Sequence, residues 1–174
     1  MEKATFGAGC FWCLEAAAQT VDGVTSAVSG FMGGQRPDPT YEQVCRGDTG
    51  HAEVVQITFD PARVSYETLL GLFWKIHDPT QLNRQGADIG PQYRSVIFYH
   101  TPAQQQAAAR SRDEQNRSGA HARPVVTAIE AAGPFYPAGP EHQNYYRRNP
   151  QQAYCRLVIR PKLEKLKRPA APAD

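Results

Sequence analysis

Two cysteines three residues apart, with two large aromatic side chains between them, carry the strongest chemical signal in the chain. Gly7 to Ala17 reads GAGCFWCLEAA. Cys10 and Cys13 in this spacing admit three chemistries: a metal clip, a dithiol redox pair, or one nucleophilic thiol bordered by its own substrate pocket. A structural zinc site needs four ligands, usually as a second paired cluster. The remaining cysteines, Cys45 and Cys155, stand alone, and no two histidines have metal-ligand spacing. The metal reading is therefore the weakest. A dithiol pair usually keeps small or turn-forming residues between its sulfurs, whereas Phe11 and Trp12 are bulky. Beside a thiol, they suit a wall for an apolar ligand. Either ring could equally belong to a core.

The elements around this stretch decide how the thiols are presented. Residues 3–8 predict a short strand ended by Gly9, and the helix formers of CLEAAAQTV predict a helix from Cys10 to Thr20. Cys10 at a helix start meets unpaired N–H groups and the positive helix end, which predicts a lowered thiol pKa. VTSAVSGF, AEVVQITFD, YRSVIFYH and RPVVTAIEAA read as further strands. Ser65 is placed to cap a helix through SYETLLGLFWKIH, and Pro102 to open another. Residues 32–51 and 78–92 read as long polar loops, and loops of that length are often functional. The order β-α-β, loop, β-α, loop, β-α-β predicts an α+β fold. We expect a two-layer sandwich with a mixed, mostly antiparallel sheet and a split β-α-β (ferredoxin-like) core. One domain is expected over residues 1–168, with a flexible tail over 169–174.

Composition narrows the function classes. The chain has 174 residues, 41% hydrophobic and 21% charged, which suits a globular domain with a sizeable core. No apolar run reaches the roughly 18 residues of a membrane span, and MEKATFGAG is too short in apolar length for a secretory signal. A cytoplasmic location is expected, without membrane attachment. Net charge is +2, yet residues 156–174 hold six basic and two acidic residues, so the rest is slightly acidic. This basic end, RLVIRPKLEKLKR, reads as a solvated amphipathic segment and not as a nucleic-acid arm. Its Leu157, Val158, Ile159, Leu163 and Leu166 ask for something to pack against.

GCFWC, GDTGHAEVV, RQGADIGPQYRS and EHQNYYRRNPQQAYC occur in that order. Together they closely resemble peptide methionine sulfoxide reductase of the A class, to about residue 165. The resemblance implies that Cys10 attacks the sulfoxide sulfur and becomes a sulfenic acid, releasing methionine. It implies that Phe11 and Trp12 cage the substrate's methyl group, and that Glu53 acts as general acid on the oxygen. Tyr41 and Tyr93 are implied to assist as neutral donors, with Asp88 in the same hydrogen-bond network. The resemblance implies no metal or other cofactor, S-epimer selectivity and a thioredoxin-like reductant; a monomer is expected. His51 reads as structural, and Cys45 as a small buried residue.

The chain departs from the family's common GCFWG in placing Cys13 at the glycine. Cys155 matches the first position of the family's thiol-bearing tail, but the apolar RLVIRPKL follows it. Residues i and i+3 at a helix start lie about 5–6 Å apart, within disulfide range. Cys13 is therefore the expected resolving thiol, with Cys155, alone or in relay, as its rival. A general thiol–disulfide oxidoreductase is the alternative activity, although such an enzyme has no need of Glu53 with two aligned tyrosines.

Overall fold

The computed structural model describes residues 1–167. In chain order it forms β1 (Glu2–Ala8), α1 (Phe11–Ala18), β2 (Val24–Met32), α2 (Tyr41–Cys45), β3 (Ala52–Phe59), α3 (Tyr66–Ile76), β4 (Arg84–Gln85), β5 (Asp88–Ile89) and β6 (Ser95–Tyr99). Then follow α4 (Pro102–Arg117), β7 (Ala128–Ala131), β8 (Tyr136–Pro137), α5 (Tyr145–Arg148), a π-helical turn (Cys155–Ile159) and α6 (Arg160–Lys167). Six strands make one sheet in the order β7-β6-β1-β3-β2-β8. Its neighbours are antiparallel except for β6 and β7, which the α4 crossover makes parallel. Strand β3 lies between β1 and β2, so β1-α1-β2 is a split β-α-β unit. The mixed, mostly antiparallel sheet agrees with the expected α+β class.

Period-two alternation sorts the central strands. Val55, Ile57 and Phe59 of β3 join Phe6, Leu14, Leu70 and Phe73 in the core under the helices. Ala52 and Val54 join Val96 and Phe98 on the opposite face, against Phe135. Glu53 shares the parity of the helix-facing residues, which puts a carboxyl where the sequence would suggest an aliphatic side chain.

The predicted caps are in place. Ser65 accepts the Thr68 N–H at 3.0 Å, and Thr101 accepts that of Gln104 at 3.1 Å ahead of Pro102. The first long loop holds an unpredicted element, α2, built on a capping box in which Thr40 and Gln43 bond each other's backbone. The second holds the small β4-β5 hairpin. Only Ala128–Ala131 of the expected fifth strand pairs with β6. Upstream, the Val126 N–H bonds Pro79 O instead. The basic end is amphipathic, docked by its apolar side while Arg156, Glu164 and Lys165 stay exposed. Cys155 and Ile159 are fully buried, Leu163 and Leu166 pack against the core, and Leu157 remains 71% exposed. The tail expected over 169–174 lies outside the described residues.

Candidate active site

Strand β1 ends at Gly9, whose φ of +86° turns the chain sharply into α1. A Cβ at Gly9 would lie 2.8 Å from Gln85 Cβ, so strand β4 of the hairpin presses directly on this turn. Cys10 is the N-cap of α1 in extended backbone, with 9% of its surface exposed. The sequence predicted a lowered thiol here, and the structure reverses that direction. Burial pushes the Cys10 thiol well up, reinforced by the hydrogen-bonded Cys13 side chain and by Glu53. Desolvation in the packed site outweighs the field of a short helix end. Cys13 moves the other way: the hydrogen bond from Cys10 lowers it against its own burial, helped by Lys162. The two thiols thus behave as one coupled pair.

Cys155 completes a thiol cluster. Cys10, Cys13 and Cys155 pack together with Ala16 and Ile159 in one buried group. After burial, the charge of Cys13 is the next influence raising the Cys155 thiol. Cys13 therefore acts on both of the others. All four cysteines are free thiols.

Glu53 is 1% exposed, and its Oε1 accepts the Phe11 N–H at 3.1 Å, one of the unpaired donors of the first helical turn. Its Oε2 is buried without a partner. Burial, and then the charges of Asp88 and Cys13, push the carboxyl up to about 8 against the Phe11 hydrogen bond. A carboxyl so placed is protonated at neutral pH and can donate. Tyr41 opens α2 and Tyr93 closes the 3-10 turn Pro91–Tyr93. Burial, followed by Glu53, raises both phenols, so both stay neutral donors. Cys45, read from sequence as a small buried residue, is half-buried at the end of α2, and burial raises its thiol. Asp88 accepts the Tyr154 hydroxyl at 2.7 Å. His51 is structural as expected, its ring bonding Gly34 N and Arg36 O.

Trp12 is the centre of an aromatic box. Tyr145 stacks on it at 3.8 Å with an interplanar angle of 9°, His142 lies at 5.9 Å and 16°, and Tyr154 meets it edge-on at 5.8 Å. Phe11 and Tyr41 stack at 6.1 Å, and His142 touches Tyr41 at 4.1 Å. Burial holds His142 below the usual histidine range, so its ring is neutral in the box. Of the residues expected at the site, the structure gathers Cys10, Cys13, Phe11, Trp12, Glu53, Tyr41, Tyr93, Asp88 and Cys155 near the start of α1. His142, Tyr145 and Tyr154 join them there, and the sequence reading had not singled these three out. The available signal was their density: four aromatic or imidazole side chains within EHQNYYRRNPQQAY, a segment with no periodicity to make them core.

This arrangement offers a protonated acid, two neutral phenols and an apolar aromatic wall beside a buried thiol pair. It suits a neutral, polar-headed thioether-like ligand. Among the described residues, no group of three or more His, Cys, Asp or Glu side chains could hold a metal ion. No helix among them is long and apolar enough to cross a membrane.

Residues 2–173 match the family "Peptide methionine sulfoxide reductase". A protein of Leptospira borgpetersenii named peptide methionine sulfoxide reductase MsrA is 55% identical over 166 residues, covering 95% of this chain and 93% of the relative. Mxr1 from Saccharomyces cerevisiae, solved in reduced form, superposes with a TM-score of 0.83 at 33% identity, covering 88% of each chain. The same yeast protein solved in complex with Trx2 superposes with a TM-score of 0.59 at 24% identity, covering 83% of this chain and 84% of that one, a likeness of fold.

Proposed function

We propose how this chain, which belongs to the peptide methionine sulfoxide reductase family and reduces methionine sulfoxide to methionine, distributes that chemistry over its residues. The substrate is methionine S-sulfoxide, free or in proteins, the S preference resting on family resemblance alone. Its S-methyl group enters the Phe11–Trp12 wall, where a polarisable sulfur suits aromatic faces. Glu53 protonates the sulfoxide oxygen, with Tyr41 and Tyr93 donating to it. The Cys10 sulfur attacks the substrate sulfur, and the S–O bond breaks as the hydroxyl passes to Cys10. The thiol proton of Cys10 replaces the one Glu53 gave. The products are methionine, reduced by two electrons, and a Cys10 sulfenic acid, oxidised by two.

Cys13 then attacks that sulfenic acid, forming the Cys10–Cys13 disulfide and releasing water. The burial of both thiols in one cluster, at positions i and i+3 of the helix start, supports this assignment. Cys155 follows in relay by attacking Cys13, which its place in the same buried cluster supports. A thioredoxin-like dithiol closes the cycle, as the family resemblance implies and as the yeast complex with Trx2 suggests by analogy. The enzyme acts as a cytoplasmic monomer with a single reductase domain.

The observation that carries the assignment is the Glu53 carboxyl: buried, raised to about 8, with one oxygen free and the other bonded to the helix turn that begins at Cys10. A resolved pair of methionine sulfoxide epimers with dithiothreitol tests the reading. The S epimer is consumed and the R epimer spared, with no added metal or cofactor. Consumption of neither epimer, or preference for R, overturns it. Disulfide exchange without sulfoxide reduction would favour the oxidoreductase alternative.

A further inference from the structure

Glu15 is a charged residue on the buried side of α1, 2% exposed, which neither the mechanism nor the sequence reading uses. Burying a carboxyl without partners is expensive, so its contacts need a reason. Glu15 lies four residues after Phe11 and three after Trp12, on the same side of the helix. Its Oε1 accepts the backbone N–H of Asn144 at 2.8 Å, across 129 residues of sequence. One turn on, the Gln19 side chain donates to Asn144 Oδ1 at 2.6 Å. Asn144 itself sits in the left-handed region, with φ of 55°, a conformation that needs local support in a non-glycine residue.

The neighbouring residue is held from the other side. Gln143 accepts the Ser29 N–H at 3.0 Å and donates to the carbonyls of Ser29 and Ala138, each at 2.9 Å. Residues 143 and 144 are thus clamped between β2 and α1. The residues flanking this clamp are His142 and Tyr145, the two rings stacked on Trp12. Helix α1 therefore carries the nucleophile, the cage wall and the tie that fixes the opposite wall.

We propose that Glu15 is a positioning residue for substrate binding. By holding Asn144 it fixes the turn that sets His142 and Tyr145 against Trp12, and so sets the width of the methyl-binding cage. The proposal rests on the reading that this cage binds the sulfoxide's methyl group.

The test pairs steady-state kinetics on methionine sulfoxide with Trp12 emission, read in a Trp74→Phe background so that one tryptophan remains. Glu15→Ala removes the acceptor. KM is expected to rise about tenfold with kcat changed less than about threefold, the pattern of lost uniform binding. Trp12 emission is expected to shift to the red as Tyr145 leaves its face. Glu15→Gln keeps an oxygen for the Asn144 N–H and should restore both readouts. If Glu15→Ala does not fold, Gln19→Ala cuts the second tie on the surface, and KM and emission should move the same way by about two- to threefold. Unchanged KM and emission in the folded variant overturns the proposal, as does a Glu15→Gln enzyme as impaired as the alanine one. Trp12→Ala keeps the two readings apart. If it leaves KM unchanged, the cage reading fails, while the emission of Glu15→Ala still decides whether Glu15 sets the turn.

Discussion

Glu53→Gln should make the protein more stable and the enzyme slower, and the stability gain should depend on pH in a calculable way. The carboxyl is carried from 4.5 to about 8 by burial. The folded chain therefore holds a proton that the unfolded chain has released. Glu53 leaves stability undiminished below 4.5, and stability is lost as pH rises through about 8. At about 1.4 kcal/mol per pH unit, the penalty is about 1 kcal/mol at pH 5, about 3 at pH 7 and about 4 at pH 8. Glutamine keeps an oxygen for the Phe11 N–H and resembles the protonated acid, so it escapes the penalty. The gain from Glu53→Gln should thus be about 3 kcal/mol larger at pH 8 than at pH 5. With a urea slope of about 2 kcal/mol per molar, that is a midpoint difference of about 1.5 M. Buried His77, held near 4 by desolvation, contributes equally in both proteins and cancels. Urea unfolding under reducing conditions at the three pH values measures the gap. A gap independent of pH, or one that shrinks as pH rises, refutes the protonated-acid reasoning. In the same protein the single-turnover reductase step should slow about 10²-fold, the range of general acid catalysis.

Other outcomes follow from the same geometry. After exposure to excess sulfoxide without reductant, Cys155→Ser should still close a Cys10–Cys13 bridge, while Cys13→Ser should leave Cys10 unbridged. Thiol counting with mass-spectrometric mapping reads both, and the opposite pattern makes Cys155 the resolving thiol. Gly9→Ala must accept a φ of +86° and a Cβ contact of 2.8 Å with Gln85. It should cost about 1–3 kcal/mol and slow the reductase step by displacing Cys10, and a neutral result in urea unfolding would show that the turn is not constrained.

Much of the site was legible because its residues lie in elements with strong local signals. Cys10, Phe11 and Trp12 follow a strand-ending glycine and open a run of helix formers, so their shared location could be read directly. Glu53 was legible only through the motif around it, since a carboxyl beginning a strand ordinarily faces water. Helix α2 escaped because five residues give no period, and its capping box sits inside a polar stretch that also reads as loop. His142, Tyr145 and Tyr154 escaped because long-range ties place them: Gln143 to β2, Asn144 to α1 and Tyr154 to Asp88. The Cys10 thiol was misread for a related reason. A helix end acts locally and is visible in sequence, whereas burial is created by packing contributed from far along the chain.

That burial bears on which oxidants the enzyme meets as reactants. Hydrogen peroxide attacks thiolates, and a thiol held protonated in an apolar cluster offers it little. On the proposed assignment, a sulfoxide bound beside Glu53 would find the proton it needs already in the pocket. The same dryness would make Cys10 a poor scavenger of peroxide and keep it for a sulfoxide bound in the pocket. With Cys13 packed in the same buried cluster, a sulfenic acid formed there would, on the proposed assignment, have a partner before a second oxidant arrives. Repair and self-preservation then draw on one arrangement of three buried sulfurs.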